Sequence, residues 1–510
     1  MNLAELADEN LRKFGEYERL VFEGRTYTNR ALHDRACRLA TALGGLGQGE
    51  KVVIMMPNSP DVLVSYPAIW RAGLVVIPVL FLLEAHELRY ILEDSRAKVV
   101  ITSPEMLPKV REATAGLPTV ERIVVTGEPG DVPEGTESFE RLVAEHEPMD
   151  RAVPREGSDL AVVLYTSGTT GRPKGVMQTH HNLYAAAMNS WRTAKTRDPN
   201  DVSLLVLPLA HSFGLGVSIN GYLFGGKAVL MRWFDAEQAL ALIQEHRVRA
   251  MAGVPTMFVY MLHHPKAGEY DTSSMQRWLV GAAPMPVAQL RQFEATFGGT
   301  MYVGYGLSEA CPGVAVERED LPRKPGSCGV PMEGVEVKVV DDEGKPLPPG
   351  EVGEIIARGE NISPGYYEMP EATAQTFRDG WLLTGDMGYL DEDGYLFVVE
   401  RKKDLIIRGG FNVYPKDVEE VLYRHPAVQE AAVVGVPHES LGEEICAYVV
   451  LESGKQATAE DIIGHCQGEL AKYKTPRHVV FLDAMPKTLI GKIIKKELRR
   501  MAAEAHGGAS

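Results

Sequence analysis

Between about residues 50 and 130, short β-type apolar runs recur at 52–56, 74–77, 98–101 and 122–125. The stretches between them, 61–72 and 85–94, carry apolar residues at helical spacing. Strands alternating with helices build a mostly parallel sheet covered on both faces, because each crossover lays a helix on the sheet. The rhythm returns at 203–207, 228–231, 250–254, 278–280 and 301–303, which predicts a second α/β layer. Beyond about Pro325, close-spaced strands at 335–340, 354–358 and 395–399 alternate with turn signals such as Asp342-Glu343-Gly344 and Asp391-Glu392-Asp393-Gly394, as in a smaller antiparallel unit. After Arg401 come a helix (416–424), strands (429–436, 443–450), a helix (459–471), a strand (478–482) and a basic terminal helix (492–500). The expected fold class is α/β. A large N-terminal body (1–400), made of two α/β subdomains and a small β-rich one, precedes a small α+β C-terminal domain (401–510).

At 510 residues the chain exceeds what one hydrophobic core supports. Its net charge of −16 argues against a general nucleic-acid binder, since phosphate-backbone affinity needs clustered Lys and Arg. The start, Met-Asn-Leu-Ala-Glu-Leu-Ala-Asp-Glu-Asn, is acidic where a secretory signal is basic, so a cytoplasmic location is expected. The five cysteines are odd in number and far apart, and read as reduced thiols without a disulfide frame or zinc site. The most membrane-like window, 62–83, is interrupted by Pro67, Arg71, Gly73 and Pro78, and reads as a helix followed by a buried strand.

After the apolar run 160–164 comes Tyr165-Thr166-Ser167-Gly168-Thr169-Thr170-Gly171-Arg172-Pro173-Lys174-Gly175, followed by a polar, helix-compatible segment. Glycine admits close backbone approach, N–H groups and hydroxyls donate, and Arg172 and Lys174 supply charge, so the stretch suits a polyphosphate. A Walker-type loop fails on spacing, because Lys174 follows Pro173 and precedes Gly175. The competing reading is a solvated linker.

Four further stretches carry chemistry. Gly304-Tyr305-Gly306-Leu307-Ser308-Glu309 flanks a ring, a hydroxyl and a carboxylate with glycines, which suits a planar ligand and Mg²⁺ beside polyphosphate, or a plain tight turn. Thr384-Gly385-Asp386 fixes a carboxylate able to accept from ribose hydroxyls, or is only a turn. Arg401-Lys402-Lys403-Asp404, before Gly409-Gly410, is a solvated junction or a hinge. Pro486-Lys487-Thr488-Leu489-Ile490-Gly491-Lys492 presents Lys492 from a glycine turn. Upstream, Gly281-Ala282-Ala283-Pro284 makes a small-residue turn, and His211-Ser212-Phe213-Gly214 sets an imidazole and a ring beside glycine; His211 taken alone reads as a structural histidine.

In order and spacing these motifs, with the segment 353–366, resemble the adenylate-forming superfamily of acyl- and aryl-CoA synthetases, peptide synthetase adenylation domains and beetle luciferases, over about residues 10–500. Within it the chain looks most similar to AMP-forming fatty acid–CoA ligases. The resemblance implies that a carboxylate attacks the α-phosphate of ATP and that the thiol of coenzyme A then displaces AMP. It implies catalytic roles for Lys492, Glu309 and His211, with Glu309 as the Mg²⁺ ligand. ATP is expected along Thr166, Ser167, Gly168, Thr169, Thr170, Gly171 and Lys174, the adenine slot Gly281, Ala282, Ala283, Gly304, Tyr305, Gly306 and Leu307, the hydroxyl of Ser308, and the ribose contacts Asp386 and Arg401. Lys403 matches the hinge of a mobile C-terminal domain, and Gly409 and Gly410 the segment that meets the pantetheine arm. Many relatives carry Thr at Ser308; Ser keeps the donor and loses one methyl.

The implied acyl pocket runs along His211, Phe213, Val254, Gly304, Gly306 and Ala310, which favours a medium- or long-chain fatty acid; Phe213 and Tyr305 flanking an aryl acid is the alternative. A stand-alone adenylating enzyme that loads a separate carrier protein is a further alternative, as no carrier module follows Lys492 in this sequence. A catalytically silent nucleotide-binding protein fits poorly with retention of Lys492 and Glu309. Expected partners are the acid, ATP and CoA, with no nucleic acid and no transmembrane segment; a homodimer and peripheral membrane contact through the basic terminal helix stay open.

Overall fold

The structure, a computed structural model, describes residues 1–127, 133–166, 173–194, 201–438, 440–487, 491 and 493–506. Two large sheets organise the body. The first has seven strands, in the order Glu137–Ser138, Arg122–Val125, Val99–Thr102, Lys51–Met55, Val75–Val79, Leu160–Thr166, Lys174–Thr179. All neighbours are parallel except the last pair. Alternate residues pack on opposite faces: Val52, Ile54, Val99 and Ile101 on one, Val53, Met55, Val75 and Val100 on the other. Both faces are therefore covered, and the strands read as continuous apolar runs. The window 62–83 is the buried helix Pro60–Arg71 and the strand Val75–Val79. Among the described residues no helix is long and apolar enough to cross a membrane.

The second sheet has nine strands, with Val202–Leu205, Ala250–Gly253, Arg277–Val280 and Thr300–Gly306 parallel at its centre. Its far edge is supplied by Glu18–Phe22 and Arg25–Thr28, a hairpin turned at Glu23 and Gly24, both at positive φ. One apolar cluster holds residues of both sheets and of the helices between them, Pro60–Arg71, His180–Thr193 and Ser212–Phe224. The helices Ala236–His246, Pro255–Leu262 and Val287–Phe297 close the outer face of the second sheet around Trp278. The body is thus layered helix, sheet, helix, sheet, helix.

A five-stranded antiparallel sheet follows, and its strand Leu396–Arg401 pairs with Trp381–Leu390. The C-terminal sheet is built on the long pair Val428–His438 and Gly442–Leu451, packed against Pro415–Leu422 and Ala459–Glu469. Two sequence readings need correction. After the Gly-rich stretch the chain first returns as the strand Lys174–Thr179, and a helix starts only at His180, where Thr179 caps it. The terminal helix is Lys495–His506, not 492–500, since Ile493 is still extended and bridged to Lys487 before it.

Candidate active site

The two halves of the Gly-rich hairpin meet where Thr166 pairs with Lys174 and Tyr165 with Gly175. A Cβ on Gly175 would lie 2.7 Å from Val163 Cγ1, so the closure needs glycine. Ser167, Gly168, Thr169, Thr170 and Gly171 lie outside the described residues, as does Lys492. Lys174 Nζ sits 4.8 Å from the centre of the Tyr366 ring, and Tyr366 Oη donates to Glu309 Oε1 at 2.8 Å. Burial and the Glu309 carboxylate raise the Tyr366 phenol above its usual range. Ser363 ties the same segment down: its N–H donates to the Glu309 carbonyl and its hydroxyl to the Met177 carbonyl. Gln178, fully buried, donates to the Ser308 carbonyl at 2.9 Å. Tyr366 and Gln178 had no role in the sequence reading. The segment 353–366 had stood out by resemblance alone, and nothing in its spacing revealed that it joins the hairpin to Glu309.

The strand Thr300–Gly306 delivers Gly304, Tyr305 and Gly306 to the same place. A Cβ on Gly306 would fall 1.7 Å from the Pro312 carbonyl oxygen, which excludes any other residue without a backbone shift. Tyr305 Oη donates to Asp386 Oδ2 at 2.6 Å, and Arg401 Nε lies 3.1 Å from Asp386 Oδ1. Asp386 and Arg401 are cross-strand partners, so the antiparallel register creates this pair. Burial, then the charge of Asp386, hold the Tyr305 phenol well above its usual range. Gly281 faces the Gly304 carbonyl and the Phe213 ring, each 3.3 Å from where its Cβ would stand. Next to it Ala282 has φ 69°, a strained conformation for a residue with a side chain. His211 caps the Ser212–Phe224 helix, its Nδ1 accepting the Phe213 N–H at 3.3 Å.

These groups line one cavity of about 1110 Å³. Thr166, Lys174, His211, Phe213, Gly281, Ala282, Gly304, Tyr305, Gly306, Leu307, Ser308, Glu309 and Arg401 all face it. Asp386 stands behind Tyr305 and Arg401, 4% exposed, and Ala283 is likewise not among the lining residues. Val254 and Ala310, expected in the acyl pocket, are placed elsewhere: Val254 packs in the outer core around Trp278, and Ala310 in the core of the β-rich subdomain. Val254 is the N-cap of the helix Pro255–Leu262 and Ala310 ends the 3-10 turn Ser308–Ala310, so neither continues the alternation of the strand before it.

From its polar end the cavity continues between the nine-stranded sheet and two helices. Ser203, Leu205, Ala250, Ala252, Leu279 and Gly304 line it, and the intervening Leu204, Met251 and Trp278, which also border it, pack with Val280 in the core on the other side. From above, Leu183, Ala187 and Ser190 of one helix and Phe213, Gly216 and Asn220 of the other face it at helical spacing. An interface that large side chains would close is kept open by Ala and Gly.

The C-terminal unit lies over the mouth. Lys487 and Ile494 line the cavity, and Lys487 Nζ is 2.7 Å from Glu430 and 3.3 Å from Tyr260 Oη. A Cβ on Gly491 would stand 2.2 Å from Thr256 Oγ1, so the residue before Lys492 abuts the body. Lys403 sits in a 3-10 turn, Lys402–Asp404, flanked by the ion pairs Lys495–Glu400 and Arg499–Asp404. Gly409 and Gly410, at φ 57° and 83°, form the two-residue turn joining Ile406–Arg408 to Phe411–Val413, away from the cavity.

The chain matches the AMP-binding enzyme family over residues 7–367 and the AMP-binding enzyme C-terminal domain over residues 417–492. It is 34% identical to a long-chain-fatty-acid–CoA ligase of Bacillus subtilis, over 99% of this chain and 95% of that one. It is 38% identical to a feruloyl-CoA synthase of an Amycolatopsis species, over 94% of each. Among solved structures, the anthranilate CoA ligase AuaEII in complex with anthranoyl-AMP superposes with a TM-score of 0.94 at 31% identity, covering 99% of this chain and 98% of that one. With nucleotide-type groups and an apolar slot in one cavity and matches along nearly its whole length, the chain belongs to the AMP-binding, adenylate-forming enzyme family and is an AMP-forming acid–CoA ligase.

Proposed function

We propose that this ligase activates a carboxylic acid with an elongated apolar body, a medium- or long-chain fatty acid in the simplest case, and transfers it to coenzyme A. The continuity of the cavity carries this reading: Tyr305, Glu309 and Arg401 line the same space as Ala252, Leu279 and Gly304, so the two halves of an acyl-adenylate fit together. From Gly281 to Arg277 the sheet face descends four residues, about 13 Å, room for about ten methylene groups in extended form. A second reading, an aryl acid, is favoured by the Phe213 ring packed against Gly281, where it would flank a planar substrate.

In the first half-reaction a carboxylate oxygen bonds the α-phosphorus of ATP as the bond to the pyrophosphate oxygen breaks. In the second, the CoA sulfur bonds the acyl carbon, the thiol proton leaves, and AMP departs. Lys492, carried by the C-terminal unit whose neighbour Gly491 meets Thr256, neutralises charge between carboxylate and α-phosphate. The hairpin 165–175 grips the outer phosphates, with Lys174 auxiliary. Arg401 meets the ribose from the cavity wall with Asp386 backing it, and Tyr305 with Gly281 and Ala282 holds the base, Ala283 continuing that turn behind the wall. Glu309, steadied by Tyr366, is the residue that holds Mg²⁺, which supplies charge neutralisation on the phosphates. Among the described residues no group of three or more His, Cys, Asp or Glu could hold a metal by itself, and a lone carboxylate suits an ion bound mainly through phosphate and water. Residues 401–510 act as a lid that rotates about Lys403 between the half-reactions and brings Gly409 and Gly410 to the pantetheine arm.

Half-reaction kinetics test this assignment. Lys492→Ala is expected to lose adenylate formation, by at least 100-fold, and keep thioester formation from synthetic acyl-adenylate. Lys403→Pro should do the reverse. Equal loss of both half-reactions in either variant refutes the role given to that residue. Thioester formation with free CoA across a panel of acids sets the substrate class.

A further inference from the structure

The deep part of the slot is not lined as a methylene channel should be. Phe213 stands at its nucleotide end, and seven residues on, about 10 Å along the same helix, Asn220 faces the same cavity. Asn220 Nδ2 donates to Ser190 Oγ at 3.0 Å, and Ser190 lines the cavity two turns beyond Leu183 on the neighbouring helix. On the sheet side, Tyr302 lies one cavity-facing position below Gly304, and Glu317 reaches the lining beside it. Glu317 is 8% exposed, and its Oε2 accepts the Val303 N–H at 2.8 Å. Burial pushes its carboxyl up to about 7, so near neutrality it is available to donate as well as accept.

A chain ending in methyl would strip water from the Asn220 amide, the Ser190 hydroxyl and the Glu317 carboxyl without replacing its bonds. A buried donor or acceptor left unpartnered costs more than the bond it forgoes is worth, so such a site discriminates strongly. We infer that the acid carries a hydroxyl or keto oxygen at its distal end, about eight to ten carbons from the carboxylate or across a ring system of similar length, and that Asn220, Ser190 and Glu317 select it. The inference rests on the acid–CoA ligase reading and deepens it by naming the class of acid. Asn220 and Ser190 are specificity residues, remote from the phosphates and the reacting carboxylate.

The test compares matched acids on the wild-type enzyme and on Asn220→Leu and Ser190→Ala: 10-hydroxydecanoate against decanoate, and 4-hydroxycinnamate against cinnamate. Thioester formation is followed, with acid binding measured in parallel by calorimetry and folding by circular dichroism. In at least one pair the oxygenated acid is expected to be favoured tenfold or more in kcat/KM and in affinity, and Asn220→Leu to erase or invert that preference. Equal or better use of the plain acid in both pairs by the wild type, or a preference that survives both substitutions, overturns the inference while leaving the ligase reading intact. Binding of the oxygenated acids without any thioester overturns the ligase reading instead and upholds the recognition.

Discussion

Replacing Asp386 by Asn removes one charge and almost no volume. The carboxylate is 4% exposed, accepts Tyr305 Oη at 2.6 Å and lies 3.1 Å from Arg401 Nε. An amide offers one oxygen and one NH₂, so whichever way it turns, a donor faces either the tyrosine hydroxyl or the guanidinium. Loss of a buried hydrogen bond to a charged acceptor costs about 1.5–3 kcal/mol. The Arg401 pair adds little, because that side chain is 41% exposed and solvent screens it. If the same carboxylate also accepts the ribose hydroxyls, weakening those bonds adds about 1 kcal/mol. The pairing loss lowers fold stability by about 2 kcal/mol, whereas the ribose term, lost only when ATP is bound, corresponds to a fall of roughly fivefold in kcat/KM for ATP. Pyrophosphate release measured at saturating acid with ATP varied reads this directly, with circular dichroism as the control for folding. An Asp386→Asn enzyme as stable to denaturant as wild type would refute the pairing argument, and one whose kcat/KM for ATP stays within twofold would refute the ribose assignment.

Gly306→Ala places a Cβ 1.7 Å from the Pro312 carbonyl oxygen, a backbone clash no rotamer relieves, and should abolish adenylation; Gly268→Ala, with nothing within 4 Å, should behave as wild type. Tyr366→Phe removes the 2.8 Å bond to Glu309 yet keeps the ring beside Lys174, so the Mg²⁺ concentration for half-maximal activity should rise roughly tenfold, about 1.4 kcal/mol; an unchanged Mg²⁺ dependence contradicts the role of Tyr366. The Glu317 carboxyl is raised from 4.5 to about 7, so the folded state binds more protons than the unfolded one between those values and stability falls as pH rises through that window. Glu317→Gln should therefore gain on the wild type in denaturant unfolding between pH 4.5 and pH 7.5, by at most about 3 kcal/mol. A pH-independent difference between the two proteins would sink that account.

Local patterns carried much of this molecule. The alternation of short apolar runs with helical spacing is enough for two covered sheets, because burial on both faces leaves Val53 and Val52 equally apolar. Glycines at 306 and 409–410 mark places where backbones touch or φ turns positive, and such residues announce themselves in any sequence. What stayed hidden was long-range. That residues 18–28 close the second sheet beside 227–230 follows from strand pairing across two hundred residues, which no local period encodes. The strand Lys174–Thr179 escaped the sequence reading because long-range pairing on both edges, with 160–166 and through Val176 with Tyr366, overrides a polar composition.

The site divides the same way. Order, spacing and residue type, through the family resemblance, nominated the groups proposed for the chemistry: the Gly-rich stretch, Glu309, Asp386, Arg401 and Lys492. Only the tertiary structure decided that Tyr366 bridges Lys174 to Glu309, that Asp386 stands behind Tyr305, that Val254 and Ala310 turn into cores, and that Asn220, Ser190 and Glu317 line one cavity. A side chain's chemistry is local to its residue. Which neighbours it faces depends on sheet register and helix phase summed over distant segments, and that sum exists only in the folded chain.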